Sequence, residues 1–169
     1  MNQALYFEER VLFSPNIPKD VNALLQTGVA LTNSDKTQAE ELFKEARQLD
    51  SSCLQTYFAL YKFYFHHKRL KDAENEVFKA LQEAAKQSGL PQDYRTLSRR
   101  PEDWDMYQNE VRLFYLYSLK ALAFIKLRTE HKIEAKLILS LLERLDPEDR
   151  CGASVIISLS QGLGSRHYG

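Results

Sequence analysis

The sequence of 169 residues contains little cysteine, glycine or proline, with two, six and five of each. The two cysteines, Cys53 and Cys151, are too few for a disulfide scaffold, and a chain of this length builds a hydrophobic core without one. Glycine and proline are the residues that most often interrupt helices, and here they cluster at a handful of places. We therefore expect buried, unpaired thiols and long stretches of uninterrupted secondary structure.

The sequence also lacks an excess of charge of either sign, because 23 Lys and Arg residues balance 23 Asp and Glu residues. Binding to a nucleic-acid backbone depends on a basic surplus, so nucleic acid is not an expected partner. No apolar run approaches the roughly 20 residues of a membrane helix, and the N-terminal region has no signal-peptide cleavage site. The sequence predicts a soluble, cytoplasmic protein without membrane insertion.

Helix-favouring residues dominate the composition. Ala, Leu, Glu, Lys and Arg supply 76 of the 169 residues, whereas the β-branched residues Val, Ile and Thr supply 18. Apolar residues recur at spacings of three and four, which predicts an all-α protein. Its predicted helices begin near Pro18, Lys36, Leu54, Ala73, Pro101, Ile133 and Cys151.

An internal repeat is the strongest signal in the chain. Ala39, Phe43 and Ala46 recur 34 residues later as Ala73, Val77 and Ala80. The same pattern recurs 62 residues further on, as Ala135, Leu139 and Leu142. A helix pair that has small residues where the two helices approach cannot bury its own apolar face, so such pairs stack on one another.

This pattern resembles the tetratricopeptide repeat. Residues 54–87 match it best, at Tyr57, Leu60, Tyr64, Ala73 and Ala80, although Tyr61 and Ala85 depart from the family pattern. Residues 116–149 match at Leu119, Leu122, Ala123, Ala135 and Pro147, and Lys126 departs.

The resemblance implies a single domain, residues 1–169, built as a right-handed α-solenoid of about three helix-turn-helix repeats. The repeats are residues 20–53, 54–87 and 116–149, with an insertion at 88–115. An N-terminal arm precedes them and a capping helix, residues 150–163, follows.

The resemblance also implies a concave surface lined by the first helix of each pair, and hence a protein-interaction module. We predict that this surface binds a peptide or helix of a partner protein through apolar contacts, with lysine and arginine attracting acidic residues. The N-terminal arm, the C-terminal helix or a second subunit are alternative occupants, and a homodimer stays open. The predicted partner-binding residues are Leu25, Val29, Phe58, Lys62, Phe65, Tyr117, Lys120, Phe124 and Arg128.

Some functions are not expected. The positions that bind the acidic C-termini of chaperones in some members of this family are Leu25, Val29, Ala59, Tyr117 and Ala121 here, and none is a cation or an amide. His66, His67 and His131 lie in predicted bends without metal-ligand spacing. We predict a non-enzymatic protein with no metal site and no cofactor. The alternatives are a secretion or assembly chaperone similar to the type III translocator chaperones, or a self-associating structural subunit.

Overall fold

The computed structural model describes residues 17–166, and the side chains of residues 17–162. The predicted N-terminal arm lies outside these residues. Within the described range the chain is all-α and contains no strand, which confirms the predicted class. None of its helices there combines the length and apolarity needed to cross a bilayer. The chain divides into two compact units, and Glu83 ends the first of them.

The first unit contains α1 (Lys19–Leu31), α2 (Lys36–Leu49), α3 (Leu54–His66) and most of α4 (Leu70–Ser88). Helix α1 packs against α2, and α3 packs against both. The α1–α2 contact is close because Gly28 faces the ring of Phe43, which is only 1% exposed. Asp35 begins α2 by accepting a hydrogen bond from the amide of Gln38 at 3.1 Å, as is typical of a helix N-cap.

Two ion pairs join α4, and the turn before it, to α2. The guanidinium of Arg47 donates to both carboxylate oxygens of Glu76 at 2.5 and 2.6 Å, and the Glu76 side chain is buried. The guanidinium of Arg69 donates to both oxygens of Glu40 at 2.6 and 3.1 Å. The Tyr64 hydroxyl also donates to Glu40, at 2.7 Å. Glu40 therefore connects α2 with α3 and with the turn that precedes α4.

The second unit contains α5 (Glu110–Arg128), α6 (Lys132–Leu145) and α7 (Ala153–Arg166), which pack against one another. Both cysteines of the chain, one in each unit, are buried and unpaired, as the sequence predicts. Cys151 precedes α7, where its amide donates to the buried carboxylate of Asp146 at 2.9 Å.

The region between α4 and α5 differs from the sequence prediction. The prediction of a long helix that begins at Pro101 is wrong. Pro101–Asp103 forms a single 3₁₀ turn, which follows a 3₁₀ helix at Tyr94–Arg99. Helix α5 starts only at Glu110, because the Asn109 side chain caps it by accepting from the amide of Arg112 at 2.9 Å. The end of α4 follows the prediction, since Gly89 adopts a φ of 73°, a left-handed conformation that favours glycine.

Tyr107 anchors this region to the segment that follows α6. Its hydroxyl donates to Asp146 and accepts from the amide of Glu148 at 3.0 Å. The Arg150 guanidinium lies 4.0 Å from the centre of the Tyr107 ring, a cation–π contact. The predicted insertion thus packs back onto its own unit through Tyr107.

The helix-turn-helix repeat is visible in the backbone of two turns. Lys68 and Glu130, 62 residues apart, are both left-handed, with φ of 61° and 63°. The amide after each donates to the carbonyl five residues back, from Arg69 to Tyr64 and from His131 to Lys126, both at 2.8 Å. The repeat positions Ala39, Ala73 and Ala135 each have no exposed surface. Two copies of the sequence repeat therefore share one turn geometry, and the repeated alanine is buried in all three copies.

Candidate functional site

A groove in the first unit contains three of the predicted partner-binding residues. It lies beside the C-terminal half of α1 and along α3, and its volume is about 340 Å³. That volume is at the lower end of the range of ligand pockets, about 300–1,000 Å³. We call it the α1–α3 groove; its lining residues are Val29, Thr32, Asn33, Phe43, Gln55, Phe58, Ala59, Lys62, Phe63 and His66.

Two buried aromatic rings support the groove from below. The rings of Phe43 on α2 and Phe63 on α3 meet edge to face, with centroids 5.7 Å apart. The ring of His67 packs on Phe63 at 4.5 Å, and its burial lowers the pKa of His67. Phe43 and Phe63 both belong to the lining, so part of the groove surface is aromatic.

The rim of the groove combines apolar and cationic side chains. Val29 is 59% exposed, which is high for an aliphatic side chain on a helix. The Phe58 ring packs edge to face on Tyr61, with centroids 5.4 Å apart, and the Nζ of Lys62 lies 5.9 Å from the Phe58 ring centre. Val29, Phe58 and Lys62 thus present an apolar surface with an ammonium group at its edge.

An unsatisfied hydrogen-bond acceptor lies in the same groove. The Oε1 atom of Gln55 is buried and has no hydrogen-bond partner among the described residues. A buried acceptor without a donor costs about 1–3 kcal/mol. Gln55 Oε1 is one of six such buried polar atoms among the described residues, and the one that belongs to the groove lining. A ligand that supplies an N–H group at this position would remove that cost.

The titratable side chains that line the groove are all basic. Lys62 is a cation and His66 becomes one when protonated, whereas none of the ten lining residues is Asp or Glu. Because the chain as a whole is neutral, this local excess distinguishes the groove. A bound segment with carboxylates near its apolar residues would match it in charge.

The remaining predicted residues of the first unit do not line the groove. Leu25 and Phe65 are each 4% exposed and belong to the core. On α1, Leu25 and Gly28 are buried and Gly28 faces Phe43 of α2, while Val29 lines the groove. Two of the five residues predicted in the first unit are therefore core residues that do not line the groove.

The predicted residues of the second unit form a largely buried cluster on α5. Lys120 and Phe124 are 4% and 6% exposed, and only Arg128 is clearly exposed. The Tyr117 hydroxyl donates to the carbonyl of Arg150 at 3.0 Å, and the Nζ of Lys120 lies 4.9 Å from the Tyr117 ring centre. This cluster joins α5 to the segment before α7.

Sequence reasoning missed Gln55 as a groove residue, although a signal for it existed. Gln55, Phe58, Ala59, Lys62 and His66 follow one another at spacings of three, one, three and four, which places them on one face of α3.

Further observations concern metal binding, the Cys151 thiol and the histidines. Among residues 17–162, no three or more His, Cys, Asp or Glu side chains are grouped as they would be around a metal ion. Burial raises the pKa of the Cys151 thiol. His131 accepts or donates a hydrogen bond with Thr129 at 2.9 Å in its turn, and His66 lines the groove. The histidines that attract attention in the sequence thus take part in separate local contacts.

Known proteins give no match to this chain. No family model matches it, and neither a curated protein nor a solved structure does. The resemblance to the tetratricopeptide repeat therefore rests on the spacing of the repeat positions in the sequence alone.

Proposed function

We propose that this protein is a non-enzymatic interaction module of the tetratricopeptide type, whose helix pairs form a right-handed solenoid. In this proposal the α1–α3 groove binds a short segment of a partner protein. Apolar side chains of that segment pack on Phe58 and Val29, and an acidic side chain pairs with Lys62. The same activity would serve an adaptor or an assembly chaperone similar to those of type III secretion.

One observation carries this proposal: an apolar groove holds an unsatisfied acceptor, Gln55 Oε1, and only basic charge. A peptide segment can match the apolar surface, the unsatisfied acceptor and the basic charge at once. Their side chains supply apolar surface, their backbone supplies N–H donors, and Asp or Glu supplies the carboxylate.

A displayed library of random 16-residue peptides tests the proposal, with the full chain as the bait. Peptides selected by the wild-type chain should contain apolar residues close to Asp or Glu. Affinity should fall about tenfold or more with Phe58→Ala, because aromatic side chains at binding sites often contribute a large share of the binding energy. With Lys62→Glu the acidic preference should disappear.

Two matched variants serve as controls. Leu49→Ala removes an exposed apolar side chain that lies outside the groove lining, and Lys71→Glu makes the same charge change as Lys62→Glu on α4. Both should bind the selected peptides like the wild type. Selected peptides that bind all four variants equally would show that the groove is not the binding site.

Self-association is a second candidate because of an exposed apolar face on α6. Ile133 and Leu137, four residues apart on one side of the helix, are 80% and 67% exposed. Light scattering over a range of concentrations tests this candidate. A dimer mass that returns to the monomer mass in Ile133→Lys/Leu137→Lys would support it, and a monomer at every concentration would exclude it.

A further inference from the structure

His67 lies where the α1–α2 pair meets α3. It caps the end of α3, and its ring packs on Phe63, one turn earlier, with ring centres 4.5 Å apart. Two groups of the α1–α2 pair act on the imidazole, namely the carbonyl of Thr32 after α1 and the ammonium of Lys36 at the start of α2. His67 is therefore part of the contact between this helix pair and α3.

One nitrogen of the His67 ring has no hydrogen-bond partner. Its Nε2 atom is buried, and none of the described residues donates to it or accepts from it. A neutral imidazole leaves one nitrogen without a proton, whereas the cation carries an N–H group on both nitrogens and a positive charge. Burying an unpaired N–H group together with a charge is costly, so this position suits the neutral ring better than the cation.

The cations around the ring act in the same direction as its burial. Burial is the largest cause that lowers the pKa of His67, and Lys36 and Arg69 lower it further. The Thr32 carbonyl acts in the opposite direction, and the C-terminal end of a helix in general favours positive charge. Helix α1 adds no charge, because residues 21–31 are all uncharged. The net effect on the pKa disfavours the cation.

The carboxylates of this region already have other partners. Asp35 accepts from a backbone amide of α2 at 3.1 Å, and Asp72 accepts from Arg69 at 2.9 Å. Glu40 accepts from Arg69 at 2.6 and 3.1 Å. The basic neighbours along α3 and in the following turn are Lys62, His66 and Lys68. A protonated His67 would thus add positive charge to a region where no carboxylate of the described residues pairs with it.

We infer that His67 is an acid-sensitive latch: the neutral ring holds the α1–α2 pair on α3, and protonation below about pH 6.5 releases that pair. When the contact opens, the ring reaches water and takes up a proton at the ordinary pKa of histidine, 6.5. In the closed contact the pKa is lower, so the ring holds a proton less well. Each pH unit below 6.5 therefore shifts the balance toward the open form by up to about tenfold, until the pH reaches the lowered pKa.

Opening of this contact would also reach the α1–α3 groove. Phe63, which lines the groove, contacts the rings of both His67 and Phe43. Val29 and Thr32, at the end of α1, belong to the same lining. Acid would thus weaken the binding of a peptide in the groove. This consequence rests on the proposed function, whereas the latch itself stands without it.

Titration of the imidazole signals by two-dimensional NMR tests the latch in the wild-type chain. The signals of His67 are assigned by their absence in His67→Gln. We expect His67 to titrate with a midpoint below 6.5. A midpoint at 6.5 or above would overturn the inference, because the closed contact would then not disfavour the cation.

Hydrogen exchange measures the opening itself. Amide protection in α1 and α2 is compared between pH 7 and pH 5.5, after correction for the intrinsic exchange rate at each pH. This window lies above the range in which Glu40, with a pKa of about 2, titrates. The loss of protection in the wild type should exceed that in His67→Phe by about threefold or more, because phenylalanine keeps a ring but cannot take up a proton. An equal loss in both chains would contradict the latch.

Two further variants make the result specific. His131→Phe removes an exposed histidine in the turn before α6 and should show the wild-type pH dependence in α1 and α2. His67→Gln removes the titrating group without an aromatic replacement and should show the same reduced pH dependence as His67→Phe. A His67→Gln chain that loses as much protection at pH 5.5 as the wild type would assign the effect to another group and overturn the latch.

The latch and the proposed function fail separately. Acid opening through His67 in a chain that binds no library peptide would sustain the latch and refute the proposed function. Peptide binding through Phe58 in a chain whose α1 and α2 protection is insensitive to His67 would sustain the proposed function and refute the latch.

Discussion

The ring of Phe43 occupies the space that a side chain on Gly28 would need. A Cβ atom built on Gly28 would lie 2.5 Å from Cε1 of Phe43 and 2.9 Å from its Cδ1. Real Cβ atoms do not approach other atoms so closely, so the buried Phe43 ring would have to shift to admit one. Because Gly28 has no Cβ, α1 and α2 can approach each other closely at this point.

Gly28→Ala should destabilise the protein by about 1–3 kcal/mol, as overpacking of a core does. Alanine favours a helix interior over glycine by up to about 1 kcal/mol, so helix propensity acts in the opposite direction. Gly162→Ala is the control, because this glycine lies in α7 with no atom within 4 Å of its added Cβ. Urea unfolding should show a loss for the first variant and none for the second. An equal or higher stability of Gly28→Ala would contradict the close packing.

Arg47→Met should destabilise the protein by roughly 2–3 kcal/mol, because it leaves the buried carboxylate of Glu76 without its guanidinium partner. Lys79, whose Nζ lies 3.5 Å from Glu76 Oε1, remains as a weaker partner. The double variant Arg47→Met/Glu76→Leu should recover much of this loss, since it also removes the carboxylate that has lost its guanidinium partner. Arg95→Met breaks an ion pair with Asp93 at an exposed position and should leave the urea midpoint unchanged. A loss for the double variant larger than that for Arg47→Met would argue against this explanation.

Stability should fall at acid pH through Glu40. The hydrogen bonds of the Arg69 guanidinium are the largest cause that lowers the pKa of Glu40 from 4.5 to about 2. Because the pKa is lower in the folded state, the contribution of Glu40 is complete above about pH 4.5 and is lost as the pH falls toward 2. Urea midpoints measured between pH 6 and pH 2 should therefore decline less steeply for Glu40→Gln than for the wild type. Glu41→Gln, at the exposed neighbouring position, should decline like the wild type.

The two phenylalanines predicted as binding residues should respond differently to truncation. Phe124 is buried on α5, so Phe124→Ala should cost about 3–5 kcal/mol of stability. Phe58 is only partly buried at the groove, so Phe58→Ala should cost less stability and weaken peptide binding. Thermal unfolding and peptide titration of both variants separate these effects. A Phe58→Ala variant that loses as much stability as Phe124→Ala would assign Phe58 to the core.

The cysteines should be inert in the folded protein. Burial raises the pKa of the Cys151 thiol and keeps reagents away from both residues. Ellman's reagent at pH 8 should react with two thiols in urea and with none in the native state, whereas Ser52→Cys adds one exposed, reactive thiol. Reaction of Cys151 at the rate of the added cysteine would indicate frequent opening around α7.

The sequence predicted the helix pairs because their determinants are local and repeated. The alanines at positions 39, 73 and 135 are fully buried where the pattern places them, and the turns are polar as expected. The start of α5 was not predicted, because Pro101 with its following acids suits a 3₁₀ turn as well as an α-helix. The hydrogen bond of Asn109 to Arg112 decides between the two.

Prediction of the site was less complete, because exposure depends on which neighbour covers each face. Val29, Phe58 and Lys62 line one groove, whereas Leu25 and Phe65 on the same two helices are buried. Spacing along a helix places a residue on a face but does not identify what packs against that face. The buried oxygen of Gln55 becomes visible only when the surrounding side chains are in position.

That oxygen also gives the groove a means to discriminate between chemical classes of ligand. A fatty-acyl chain or a detergent tail fills apolar space but has no hydrogen to donate, so Gln55 Oε1 would stay unsatisfied. Relative to such a ligand, a peptide that donates an N–H to this oxygen would gain about 1–3 kcal/mol, or roughly 5- to 150-fold in affinity. In the proposed function, this difference favours polypeptide over lipid.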